Sequence, residues 1–222
     1  MDEDKKTPPP EGPAPEIPRP PADAAPKAAA PAAPAAKKAE VDEEALRAPV
    51  PSKSLDRLRA VHPDAIEEVN YHCGVPIVRV KPERIVDVCR FLKEDPECAM
   101  THLADLCGVD LIGLGRPEPR FDVVYQLFGL RNRERLRLKA AVADGGEIAT
   151  VSGVWRTANW HEREAYDMFG IRFAGHPDPR RILMPEEFDA FPLRKDFPLE
   201  GREKDHGNWR RPEDDERDVV KH

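Results

Sequence analysis

Four groups of residues carry side chains able to do chemistry. His161-Glu162 opens like the HExxH helix of zinc proteases, in which two histidines one turn apart hold the metal. The second histidine position is Ala165, so the required ligand is missing. Glu162 and Glu164 are a candidate acid/base pair. Two positions apart on a helix, they point to different faces, and no nucleophile motif accompanies them. His176, in Gly175-His176-Pro177, is a candidate ligand or base, but is more simply a turn histidine making a hydrogen bond. Gly113-x-Gly115 has Glu118 where a dinucleotide loop needs its third glycine, and no helix follows it. The cysteines at 73, 89, 98 and 107 form no CxxC pair and no zinc or iron–sulfur spacing. They read as small buried hydrophobes. These readings leave no catalytic residue and no metal or cofactor ligand.

The charges concentrate on one predicted helix, Trp160–Phe169, with Asn159 as N-cap, Glu162 closing a capping box and Gly170 as the stop. Arg163 and Asp167 are expected to pair at i, i+4, as near neighbours on one face. Three carboxylates and an arginine beside Trp160, Tyr166, Met168 and Phe169 imply a face buried against something polar. Prolines at 177, 179, 185, 192 and 198 then forbid a long helix or a central strand. Such a proline-stiffened segment is costly to order. It makes sense laid across a partner, with Arg180, Arg181 and Arg194 offering bidentate carboxylate pairing.

Upstream, the periodicity is that of an α+β domain. Ser54 is expected to cap a short helix carrying Leu55, Leu58 and Val61. Residues 66–71 and 75–80 read as a hairpin around Cys73-Gly74. Pro82 starts a helix with an Ile85, Val88, Cys89, Leu92 stripe, ended by Asp95-Pro96. Strands follow at 100–112, 121–128 and 135–142. In the last, Leu136, Leu138, Ala140 and Val142 alternate with Arg135, Arg137 and Lys139. The expected fold is two-layer, a mixed sheet of about five strands with helices on one face, followed by an extended irregular C-terminal segment.

Of 25 prolines, 13 lie in residues 1–51, among many alanines. That stretch reads as a disordered Pro/Ala-rich arm. Residues 52–155 form the α+β domain, 156–199 the helix and partner-binding segment, and 200–222 a tail with 14 charged residues of 23. The tail is either solvated or a strap, and only Trp209, Val219 and Val220 could anchor it. A net charge of −7 argues against a general nucleic-acid binder. No apolar run approaches the roughly 20 residues of a membrane-spanning helix. The acidic start Met1-Asp2-Glu3-Asp4 is unlike a secretory signal.

The order Glu162-Arg163-Glu164, two residues, Asp167-Met168-Phe169, six residues, His176, three residues, Arg180, one residue, Ile182-Leu183 resembles a known signature. It is similar to that of the thirty-kilodalton-type or C subunit of respiratory complex I, the proton-pumping NADH:quinone oxidoreductase. The lead-in Ala158-Asn159-Trp160 and the run from Pro192 to Leu199 are similar as well. The resemblance implies a non-catalytic subunit of the peripheral arm that supports electron transfer from NADH to quinone coupled to proton translocation. It implies no flavin, cluster or metal in this chain, with FMN and iron–sulfur clusters in partner subunits. Its implied partners are the forty-nine-kilodalton-type or D subunit and neighbouring iron–sulfur subunits. The implied place is the cytoplasmic face of the bacterial inner membrane, reached only through the complex. The implied interface comprises Trp160, Glu162, Arg163, Glu164, Tyr166, Asp167, Phe169, Gly170, His176, Arg180, Arg181, Leu193, Arg194, Lys195 and Asp196. The alternatives are the equivalent subunit of an ion-pumping hydrogenase or other quinone-linked dehydrogenase, or a stand-alone enzyme using Glu162, Glu164 or His176.

Overall fold

The computed structural model describes residues 43–114 and 118–202. Most of the arm, the tail beyond Arg202 with its three candidate anchors, and Gly115 of the glycine pair lie outside the described residues. The elements are α1 (Glu43–Leu46), α2 (Lys53–Val61), β1 (Ile66–His72), β2 (Val75–Val80), α3 (Ile85–Glu94), β3 (His102–Asp110), β4 (Phe121–Gly129), β5 (Glu134–Val142), β6 (Glu147–Ala149), α4 (Ala158–Phe169) and β7 (Arg172–Ala174).

Five strands form one mixed sheet in the order β1-β2-β5-β4-β3. Its pairs are antiparallel except β2 with β5, which run parallel, Ile77 opposite Arg137 and Val80 opposite Ala140. The α+β reading holds. The alternation in β5 sends Leu136, Leu138, Ala140 and Val142 into one core with Leu55 and Leu58 of α2, the α3 stripe and Ala165 of α4. Helices therefore cover one face, because each strand offers only one continuous apolar row. The α3 stripe is fully buried at Ile85, Val88, Cys89 and Leu92.

Local expectations needed correction where a distant partner intervenes. The N-cap of α2 is Ser52, whose hydroxyl accepts from the Leu55 amide at 3.3 Å. Ser54 lies inside the helix, and Glu134 of β5 takes its hydroxyl and amide. Val61 is exposed rather than part of the buried stripe. Cys89 and Cys98 are buried as expected, Cys107 is half-buried, and Cys73 is exposed in the β1–β2 turn. A second sheet, the parallel pair β6–β7, had no counterpart in the sequence reading.

Candidate partner interface

α4 begins at Ala158, and its N-cap residue Thr157 makes no side-chain cap hydrogen bond. The capping box on Asn159 is therefore absent. Glu162 instead turns inward, fully buried, and accepts from the Val151 amide at 2.7 Å and from the Thr150 hydroxyl. Burial pushes its carboxyl up to about 7, partly offset by those two donors. His176 stands 3.8 Å from this carboxylate. Its Nδ1 accepts from the Asp178 amide at 3.0 Å, so Nε2 carries the proton and donates to the Asn159 carbonyl at 3.1 Å. The histidine is thus a hydrogen-bonded turn residue. Glu162, Tyr166, Phe173, His176 and Pro179 line a cavity of about 310 Å³. Glu164 faces away and is exposed.

Asp167 is the hub of the segment that follows. Its buried carboxylate accepts from the backbone amides of Ile182, Leu183 and Met184 at 2.7–3.0 Å and from Arg181 at 2.6 Å. Burial alone would raise its pKa, but these donors outweigh burial and hold it below the ordinary carboxylate value. The expected Arg163–Asp167 pair does not form. Arg163 reaches the Arg180 and Arg181 carbonyls at 3.0 and 3.1 Å and lies over the Trp160 ring. Both side chains thus satisfy backbone groups of an irregular chain that has no ladder to satisfy them.

The arginines also turn inward more than expected. Arg181 reaches from Asp167 to the Ala190 carbonyl and stacks over Phe191. Arg194 donates to the Phe169 carbonyl at 2.6 Å, pairs with Asp144, and stacks over Phe121 and Phe191. Gly170 adopts φ +76°, and a Cβ there would meet Phe191 at 2.6 Å, so the stop of α4 needs glycine on two counts. Arg180 stays exposed and forks onto its own Asp178, which it pulls down to about 2.

A second hub joins the segment to the sheet. Asp110, at the end of β3, accepts from the Lys195 amide at 2.9 Å and from Arg120 at 3.0 Å. Arg120 also holds Asp144 and Asp196 at 2.7 and 2.8 Å. Neither Asp110 nor Arg120 figured among the sequence candidates. The available signal was Asp110 interrupting an apolar strand. Phe188 and Phe191, which receive the stacked arginines, were also missed.

The signature residues therefore divide in two. Glu162, Asp167, Arg181, Arg194 and His176 hold the chain to itself. Trp160 (63 % exposed), Leu183 (62 %) and Leu193 (52 %) project outward, with Leu199 fully exposed. Leu193 is fixed by its amide, which donates to the Met168 carbonyl.

The chain is similar to several known proteins. The family described as "Respiratory-chain NADH dehydrogenase, 30 Kd subunit" matches residues 78–203. The chain is 57 % identical over 139 residues to the C 2 subunit of NADH-quinone oxidoreductase of Rhizobium etli (strain CIAT 652), covering 62 % of this chain and 72 % of that one. It is 51 % identical over 150 residues to the C subunit of NADH-quinone oxidoreductase of Roseiflexus sp. (strain RS-1), covering 67 % and 84 %. Its fold is similar to a chain in the structure of a membrane-bound sulfane sulfur reductase, described as an archaeal respiratory membrane complex. That likeness has a TM-score of 0.53 and 23 % identity, covering 65 % of this chain and 84 % of that one. On the family match and the identities together, the chain belongs to the 30 Kd subunit family of respiratory-chain NADH dehydrogenase.

Proposed function

We propose that this chain works in its NADH-quinone oxidoreductase as a scaffold of the peripheral arm, contributing shape and contacts rather than reacting groups. The enzyme activity belongs to the assembled complex. The observation that carries the scaffold reading is the division within the signature. The charged residues are spent on fixing residues 176–197 in place, and large apolar side chains are left on the outside. A contiguous chain with its polar groups satisfied internally and its leucines outward suits a dry protein contact.

In this reading Trp160, Leu183, Leu193 and Leu199 dock on the forty-nine-kilodalton-type or D subunit and on neighbouring iron–sulfur subunits. FMN and the iron–sulfur clusters sit in those partners. The complex lies at the cytoplasmic face of the bacterial inner membrane, and this chain meets the membrane only through it. Among the described residues no helix is long and apolar enough to cross a membrane.

The test is affinity purification of the tagged full chain from native membranes. Flavin- and iron–sulfur-containing partners should co-purify with the tagged chain. The exposed double change Leu183→Asp with Leu193→Asp should abolish that recovery while leaving the thermal melt of the chain unchanged. Intact assembly by the double variant, or recovery of the wild-type chain alone, overturns the proposal.

A further inference from the structure

The face of the sheet away from the helices carries an unusual row. Arg135, Arg137 and Lys139 of β5 alternate with Leu136, Leu138 and Ala140, which are buried beneath the helices, so the three cations project from the opposite face. β5 is interior to the sheet, between β2 and β4. Across β4 the three cations face Phe128, Gln126 and Val124 in register, none of them charged. Across β2, Arg137 faces Ile77 and Lys139 faces Arg79, a fourth cation.

The one carboxylate on β4 here, Asp122, is already taken bidentately by Arg79 at 2.8 Å. Arg137 settles for the Gln126 side-chain oxygen at 3.1 Å, and Arg135 for the Phe128 ring. A cleft of about 460 Å³ opens beside Arg135 and Arg137. Its lone carboxylate, Asp105, lies against His161. Among the described residues, Arg135, Arg137 and Lys139 therefore have no carboxylate partner in ion-pair distance.

We infer that this row is the docking surface for the acidic run of the chain's own C-terminal tail, Glu213-Asp214-Asp215-Glu216-Arg217-Asp218. In an extended chain Asp214, Glu216 and Asp218 fall on one side with a two-residue repeat. Arg135, Arg137 and Lys139 repeat at the same two-residue interval, so the three carboxylates meet the three cations one to one. Reach is sufficient. From Arg202 to Asp214 an extended chain spans about 40 Å, comparable with the diameter of a domain whose radius of gyration is about 15 Å. The run supplies matching charge, spacing and tether together; the other two-residue acidic repeat, Glu40, Asp42 and Glu44, ends inside α1, where Glu44 is helical. This inference stands apart from the scaffold reading, which concerns α4 and the segment after it.

Carbodiimide coupling of the full-length chain, read by peptide mass spectrometry, tests it. This reagent joins an amine directly to a carboxylate in contact with it. Lys139 should couple to Asp214, Glu216 or Asp218. Arg135→Glu with Arg137→Glu leaves the Lys139 amine in place and should lower that yield roughly tenfold. For the unaltered chain, raising salt from about 0.05 to about 0.5 M should do the same, since exposed pairs are screened. The salt arm decides the matter even if the double variant folds poorly. Coupling of the tail to Lys53 or Lys81 as readily as to Lys139 overturns the inference. So does coupling of Lys139 to a carboxylate of another chain, or no product at Lys139 at all.

Discussion

Two regions of the described chain are ordered by different means. In the sheet layer, order comes from repetition. Leu136, Leu138 and Ala140 are each one of many apolar groups in a shared core. In residues 150–202 it comes from a few charged hubs. Asp167 alone accepts from three amides and an arginine, and Asp110 joins Lys195 to Arg120. A core of the first kind distributes the effect of any loss, whereas a hub concentrates it. Chain without a ladder needs such hubs because its amides still require acceptors.

The sharpest way to break this contrast is Asp167→Ala. It leaves three amides without their acceptor and takes the carboxylate from the largely buried Arg181, which keeps the Ala190 carbonyl, at a cost on the order of 3 kcal/mol. The loss should be local. Limited proteolysis should cut within 180–202 while the far-ultraviolet signal of the sheet persists; simultaneous loss of both would erase the distinction. Leu138→Ala should do the reverse. A cavity in the shared core costs about 3–4 kcal/mol, and protease sensitivity and sheet signal should change together along one melting curve.

Glu162 sharpens the comparison through pH. The folded protein keeps this proton up to about 7, while the unfolded chain releases it near its ordinary value of 4.5. Its stabilising contribution is therefore full below pH 4.5 and is lost as pH rises through 7. A gap of roughly 2.5 pH units corresponds to about 3 kcal/mol at most. Glu162→Gln removes the titration, so the variant should gain on the unaltered protein between pH 5 and pH 8 in denaturant midpoints. An unchanged difference would show that the carboxylate is ionised throughout. The smallest effect is expected at Ser52→Ala, which removes the cap of α2 at about 1 kcal/mol. Ser54→Ala should not act as a cap change, because Ser54 serves Glu134 instead.

The sheet layer was legible because its information is periodic. The α3 stripe and the alternation in β5 name their own buried faces, and five strands with helices follow from them. The polar anchors were not legible, because each depends on a residue far along the chain. Ser54 looked like a cap until Glu134, 80 residues away, claimed it. Arg163 and Asp167 have ideal helical spacing, yet unpaired backbone at 180–184 offered each of them better partners. Sequence spacing specifies which side chains can meet within one element. It carries no record of which loop arrives beside them. In the signature it singled out Glu162, Asp167, Arg181 and Arg194, and the structure shows each of them bound to groups of the chain itself.

The parallel pairing of β2 with β5 also bears on how the protein is made. Ile77 and Arg137 lie opposite each other, yet α3, β3 and β4 all come between them in the chain. The β1–β2 hairpin leaves the ribosome first, and at about 5–20 residues per second it waits roughly 3–12 s for its central neighbour. During that interval the edge of β2 and the apolar row of Val78 and Val80 are uncovered, a template for pairing with other chains. Synthesis of this protein therefore has a vulnerable window that closes only when β5 emerges.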